Sequence, residues 1–413
     1  MSHLNESFSS YQKFVVAILV FLQFTVVLDF MIMAPLGAII MPVFQINPSQ
    51  FGMVVSAYAF SAGASGLLAA GFADKFDRKK ILLFFYTGFV VGTLLCAIAP
   101  NYQFLLFARI ITGLFGGVIG AVVLAIATDL FQLKQRGQVI GLVQTAFGAS
   151  QVLGIPLGLY LSNIWGWHVP FFMIVAISVI VGILIVFKLK PIDEHLKLQK
   201  KNENILRHFS STLRIRTNQI GFASTALISL GGFLLMPFTS AYTVHNLGIS
   251  LEKLPLIYLA TGGFAIFCGP LIGQASDRFG KLKTFIFGAL LTIVMVLIYT
   301  HLGVTPLHIV MLVNVLFFVG IFSRIIPSQA LISAIPSAAS RGAFMAVNSS
   351  LQQISGGVAS LVAGLIVIEQ VDGSIKNFDV LGYILVVTTL ISIYLIYRVE
   401  EIIRKRAHEQ ALI

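Results

Sequence analysis

Two ionisable residues lie deep inside long apolar runs of this chain, Asp29 and Arg109. An isolated charge at a bilayer centre costs about 2.5–3.5 kcal/mol on insertion scales, so each calls for a partner or a water-filled cavity. Their depths agree. Counting from Phe14, Asp29 stands roughly 22 Å along the first run at ~1.5 Å per residue. The fourth run starts near Gln103 on the opposite side. Arg109 is then roughly 9 Å below that edge of a ~30 Å core and roughly 21 Å from the other. An acid and a guanidinium at one level can do proton chemistry. Paired, the acid stays ionised; left alone in an apolar wall, it takes up a proton. Asp29 is the expected proton-titrating group and Arg109 the residue that modulates it. The alternative is a static salt bridge that fixes helix packing.

The elements that must position these residues follow from composition. The 413 residues are 57% hydrophobic and only 10% charged, with mean hydropathy +0.94. A soluble domain is nearer about 45–50% apolar and about 25% charged. Most of this surface must therefore face lipid. Apolar runs long enough to span a bilayer fall near 14–41, 50–72, 81–99, 103–128, 138–161 and 169–188, then 219–243, 254–275, 284–300, 307–330, 342–368 and 379–397. They lack the alternation of barrel strands. The first run is too long for a signal-peptide core and reads as a retained helix.

Orientation follows from the basic residues. With the N-terminus in the cytoplasm, 23 of the 27 Lys and Arg residues fall in cytoplasmic segments. Only Lys253 and Lys376 fall outside, and both termini are expected inside. The net charge of +11 thus belongs to loops, which removes the motive for a nucleic-acid reading. Cys96 and Cys268 sit in apolar runs and form no zinc or disulfide pattern. Neither a cofactor nor a metal motif is found.

The chain repeats itself. AGFADKFDRKKI, residues 70–81, concentrates Asp74, Lys75, Asp77, Arg78, Lys79 and Lys80 between two spans. GQASDRFGKLK, residues 273–283, echoes it. Asp74 and Asp277 are 203 residues apart, and the pairs Arg136-Gly137 and Arg341-Gly342 are 205 apart. Two markers with nearly one offset imply a duplicated six-span unit. The expected division is 1–188, a cytoplasmic linker over 189–217, and 218–413. Secondary transporters are built on such repeats, with the substrate site between them.

The loop copies resemble the signature G-x-x-x-D-R-x-G-R-K of the major facilitator superfamily. The second copy fits through Gly273, Asp277, Arg278, Gly280 and Lys281. The first departs at Ala70 and at Asp77, where the family has glycine. Arg109 to Gly113 is similar to the family's fourth-helix pattern, which continues to Gly117. Asp129, Arg136 and Gly137 meet the motif that follows it, whereas the second half has Ala334 in place of the acid. GIPLG, Gly154 to Gly158, followed by WGWHVPFF, resembles the glycine-proline segment of drug, sugar and arabinose-type efflux permeases. The resemblance implies an all-α membrane protein of twelve helices in two pseudo-symmetric six-helix bundles. It also implies that the first and fourth helices line the cavity.

It further implies that Asp74 meets the start of the eleventh helix, and Asp277 the start of the fifth. An acid beside a helix N-terminus gains about 0.3–1 kcal/mol. With Arg78, Asp129, Arg136, Arg278 and Arg341 these acids would form a cytoplasmic gate. Gln23, Tyr58, Gln144, Gln151, Asn314, Asn348 and Gln352 supply hydrogen-bonding groups that could face the cavity or bond helix to helix. Arg324 could bind an anionic substrate or snorkel to the interface. Gly113, Gly117, Gly154 and Gly158 allow close helix approach, and Pro156 allows a bend. Enzyme motifs such as H-E-x-x-H and G-x-S-x-G are missing. The expected function is proton-coupled efflux of a drug, sugar or metabolite by a monomer in a bacterial inner membrane. Proton-coupled uptake is the runner-up.

Overall fold

The computed structural model describes residues 8–69, 75–193, 196, 212–336 and 341–411. Asp74 and most of the expected linker lie outside these residues. The first half contains α1 (Ser10–Ile32), α2 (Gly37–Phe44), α3 (Pro48–Ala69), α4 (Arg78–Ala97), α5 (Tyr102–Leu130), α6 (Leu133–Ala149), α7 (Ile155–Trp165) and α8 (Val169–Lys188). A π turn, Ser150–Gly154, joins α6 to α7 into one span. The second half contains α9 (Arg216–Leu234), α10 (Thr239–His245), α11 (Leu254–Phe279), α12 (Lys281–Thr300), α13 (Leu307–Ser333), α14 (Arg341–Ile366) and α15 (Phe378–Ala411). Among the described residues, eleven helical segments are long and apolar enough to cross a membrane. The remaining span, α14, the eleventh in chain order, is 26 residues long. Its Asn348, Ser349, Ser350, Gln352, Gln353 and Ser355 make it more polar than the rest.

Two runs that read as continuous in sequence are broken. The first stops at Ile32 and resumes at Gly37. The seventh stops at Leu234 and passes through a 3-10 turn, Met236–Phe238, before α10. Pro35 and Pro237 supply the reason, since proline lacks the N–H an uninterrupted helix needs. The two breaks touch: a side chain on Gly37 would meet the Pro237 carbonyl oxygen at 3.1 Å. Ser240 donates to the Ala34 carbonyl nearby, at 3.0 Å.

The side where α1 starts and α8 ends carries Lys79, Lys188 and Lys190 and is called the basic face here; the opposite side is the far face. Contacts between the halves run the length of the α3–α14 seam, as far as Gly66, where a side chain would meet the Ser350 hydroxyl at 3.3 Å. Ser56 donates to the Gly357 carbonyl at 2.8 Å, and Asn163 to the Leu251 carbonyl at 2.9 Å. The α3 and α14 backbones run so close that a side chain on Gly52 would meet the Ser360 carbonyl at 2.7 Å. A short hairpin, β1 (Ile368–Glu369) and β2 (Ile375–Lys376), links α14 to α15. Asn246 holds it through the Ile375 N–H, at 2.8 Å, and carbonyl, at 3.0 Å. The last span continues well past residue 397 because its charged end pairs with itself: Glu401 accepts from Lys405 at 2.9 Å and lies 3.6 Å from Arg398.

Asp77 now has a physical account. It caps α4, accepting from the Lys79 N–H at 2.8 Å. The same carboxylate accepts the Ile192 N–H at 3.1 Å, while the Arg78 N–H donates to the Ile192 carbonyl at 3.0 Å. The first residues after α8 are thereby tied to the start of α4. A glycine here could not make the side-chain bonds. Asp77→Ala is expected to lower stability by about 0.5–2 kcal/mol, the usual value of a lost cap. Thermal unfolding of the detergent-solubilised protein checks this, with Asp77→Asn retaining most of the stability.

Candidate functional site

The site is built where α1 and α5 cross. Asp29 lies three residues before the end of α1, and Arg109 lies in the second turn of α5. The Arg109 Nη1 donates to Asp29 Oδ2 at 2.8 Å. It also reaches the Asp29 backbone carbonyl at 3.3 Å. Thr93, from α4, donates to the other carboxylate oxygen at 3.1 Å. Neither charged side chain has any exposed surface. Tyr58 of α3 presents its ring to the guanidinium, with the Arg109 Cζ 4.5 Å from the ring centroid. Such a cation–π contact is worth about 2 kcal/mol when desolvated. Nε and Nη2 of Arg109 are buried without a hydrogen-bond partner. The guanidinium therefore spends one nitrogen on Asp29 and keeps one edge free.

Glycines decide how close these helices come. A side chain on Gly116 would fall 2.8 Å from the Tyr58 hydroxyl, so the glycine gives the ring its place beside Arg109. One on Gly113 would meet the Tyr58 carbonyl oxygen at 2.5 Å. Gly154, the last residue of the π turn, and Gly158 of α7 press against Leu28, next to Asp29, and Ile32, three residues on: added Cβ atoms would meet them at 2.6 and 2.9 Å. The π turn also touches the second half, where a Gly262 side chain would meet the Val152 backbone at 2.8 Å. Pro156 sits just after the π turn passes into α7, so its missing N–H falls where the helical bonding pattern already shifts. The glycine-proline segment thus bears on Asp29's helix and on α11 at once.

The other sequence candidates are scattered. Gln23 is half-buried beside Gly120, Gln144 is exposed, and Gln151 is buried in the π turn. Asn314 is buried and donates to the Val310 carbonyl at 2.9 Å. Asn348 accepts from Thr225 at 2.6 Å, and Gln352 is half-buried on the same helix. Arg324 is 2% exposed, which rules out a snorkelling side chain. On the basic face, Arg78 pairs with Asp129 at 2.9 Å, and Arg136 donates to the Phe131 carbonyl at 3.0 Å. Asp277 is exposed and pairs along its own chain with Lys281 at 3.2 Å. Arg278 lies over the Phe279 ring, 5.5 Å from its centroid. Asp74 and the Arg341 side chain lie outside what the structure describes. Sequence reasoning missed Thr93 altogether, since a threonine in an apolar span carries no pattern. It placed Tyr58 only among the cavity candidates.

The comparisons with known proteins agree with this architecture. The family model described as Major Facilitator Superfamily matches residues 19–360 and 221–411. The chain belongs to that family of membrane transporters. It is similar to the MFS-type transporter YceJ of Bacillus subtilis (strain 168), with 25% identity over 370 residues, 89% of this chain and 93% of the relative. It is similar also to YbcL of the same organism, 24% identical over 352 residues, 83% of this chain and 86% of that one. Among solved structures, a bacterial homolog of the human lysosomal transporter Spinster in an inward-facing, unoccupied conformation superposes with TM-score 0.70 at 16% identity. It covers 96% of this chain and 97% of its own. The nucleoside transporter NupG gives TM-score 0.71 at 15% identity, over 94% and 99%. The protein is a multi-pass membrane transporter and not an enzyme.

Proposed function

We propose that this secondary transporter exports a small organic solute in exchange for protons, working as a monomer in a bacterial inner membrane with both termini cytoplasmic. The observation that carries the reading is the Asp29–Arg109 pair, fully buried at 2.8 Å. A buried pair is a two-position device if its helices move: together both groups are charged, and apart the acid needs a proton. Thr93 holds the carboxyl group in either state, and the Tyr58 ring keeps Arg109 in place when the carboxylate is neutral. Gly154 of the π turn and Gly158 of α7, against Leu28 and Ile32, would transmit motion of α11 to Asp29. That connection supports export, because the segment resembles the one found in proton-driven exporters.

In this reading residues 1–188 and 218–413 rock about the seam, joined by 189–217. The basic face is cytoplasmic, and this state, in which Asp277 is exposed, is read as the one with the cytoplasmic latch released. Asp277 then idles on Lys281. In the opposite state Asp74 and Asp277, with Arg78, Asp129, Arg136, Arg278 and Arg341, would latch the cytoplasmic side.

The test is expression in an exporter-deficient strain challenged with toxic solutes. Raised tolerance to at least one solute that disappears when the pH gradient is collapsed is expected. Raised sensitivity, reflecting uptake, would overturn the export direction.

A further inference from the structure

We infer that Arg324 anchors an acidic group of the transported solute, a carboxylate, phosphate or sulfonate. This rests on the transport reading above but not on its proton step. Arg324 lies nine residues before the end of α13 at Ser333, roughly 14 Å from the basic end of that helix. Its Nε and Nη2 are buried with no hydrogen-bond partner. These two nitrogens form one edge of the guanidinium, the edge that grips a carboxylate or phosphate through two parallel bonds. Arg109 leaves the same edge free but has Asp29 on its remaining nitrogen. Arg324 has no such acid. Among the described residues, no acid of the second half lies in the apolar part of a span: Glu252, Glu369 and Asp372 lie in connections, Asp277 and Asp379 at helix ends, and Glu400, Glu401 and Glu409 in the charged extension of α15. The apolar interiors of the described spans therefore carry Asp29, Arg109 and Arg324, a net charge of +1.

The position suits a ligand. A side chain on Gly231 would start 3.9 Å from the Arg324 Nη2 and 3.0 Å from the Thr388 hydroxyl, so the guanidinium tip and a hydroxyl converge on a bare stretch of α9. The next residue, Gly232, is exposed and a side chain there would meet nothing within 4 Å. Phe233 follows and packs on Phe30 of the first half, with ring centroids 5.7 Å apart. The unpaired cation is thus buried against a side-chain-free stretch of α9, within two residues of a ring that packs across the seam between the halves. A buried charge without a partner is costly to keep. An anion that arrives during part of the cycle removes that cost and gives the solute a reason to bind there.

Thermal unfolding of the purified full-length protein in detergent tests this with benzoate, phenylphosphonate and benzenesulfonate as probes and neutral benzamide as control. At least one acidic probe is expected to raise the melting temperature about 2 °C or more beyond benzamide. Arg324→Gln should abolish that difference, and Arg324→Lys, which lacks the planar fork, should keep less than half of it. The shift should survive Asp29→Asn, so failure of the proton reading leaves it intact. The inference is overturned if no acidic probe exceeds benzamide, or if the difference persists in Arg324→Gln. It is overturned also if only phosphatidylglycerol micelles, and none of the free acids, give an Arg324-dependent shift, because the anion would then be a lipid headgroup. Should Arg324→Gln fail to fold, the wild-type comparison and Arg324→Lys still decide.

Discussion

Asp29→Asn protein is expected to insert and purify as a monodisperse species, yet to move solute in proteoliposomes no faster with an imposed pH gradient than without one. The substitution keeps shape and hydrogen bonding: Thr93 can still donate to the amide oxygen. It removes the group that titrates. The difficulty is Arg109, whose charge then has no acid beside it. In the proposed cycle, however, Arg109 already has to stand without a charged acid at its side whenever the pair separates. The contacts that would hold it there remain in the variant: the Asp29 backbone carbonyl, 3.3 Å from Nη1, and the Tyr58 ring, 4.5 Å from Cζ. A static bridge makes the opposite forecast. Removing one partner of a structural buried pair typically destabilises by about 3–5 kcal/mol, so the variant would aggregate or fail to accumulate. Size-exclusion profiles and gradient-driven flux, measured on the same preparation, separate the two. A variant that folds and keeps its gradient-driven flux would remove Asp29 from coupling altogether.

The second large effect is expected at Gly117, where leucine should prevent accumulation of folded protein. An added Cβ would run into the Ala62 carbonyl oxygen, and would stand 2.5 Å from the Ala62 Cα and 2.7 Å from the Ser65 hydroxyl. Two of those three obstacles are backbone, so no rotamer change relieves them. Overpacking a core ordinarily costs about 1–3 kcal/mol; prying α3 from α5 should exceed the upper end. The control lies one turn further along α5. A Cβ on Gly120 would find only the Gln23 Oε1, at 3.9 Å, so Gly120→Ala should express and unfold like wild type. Fluorescence-detected size exclusion of tagged proteins reads both. Normal profiles for Gly117→Leu would mean that α3 and α5 are not locked together as the structure has them.

How much of this could be read from the sequence depended on what the bilayer dictates. Twelve spans were legible because lipid demands long apolar runs. The duplication was legible because Asp74 and Asp277, and Arg136 and Arg341, keep nearly one offset. The shared depth of Asp29 and Arg109 was within reach of arithmetic, since a helix rises by a fixed step. What faces what was not. Tyr58 and Thr93 approach the pair through helix rotation and through glycines on the neighbouring helix, and apolar spans carry no amphipathic stripe to fix rotation. The breaks after Ile32 and Leu234 were marked by Pro35 and Pro237, but neighbouring apolar residues hid them. The π turn ending at Gly154 left no mark at all. Asp77 looked like an error in a motif until the Ile192 backbone was seen against it.

Arg324 gives the transporter an electrical character. Moving one elementary charge across a membrane is worth about 2.3 kcal/mol per 100 mV. With Asp29 ionised and cancelling Arg109, the solute-free carrier presents one uncompensated positive charge to the field, and with the exchanged proton on Asp29 it would present two. A resting potential, negative inside, pulls that charge toward the cytoplasm and biases which orientation the empty protein prefers. A bound solute anion cancels the bias, so the loaded carrier would turn with little regard for voltage. Membrane potential would then act on the return of the solute-free, protonated protein and leave the delivery of cargo nearly untouched.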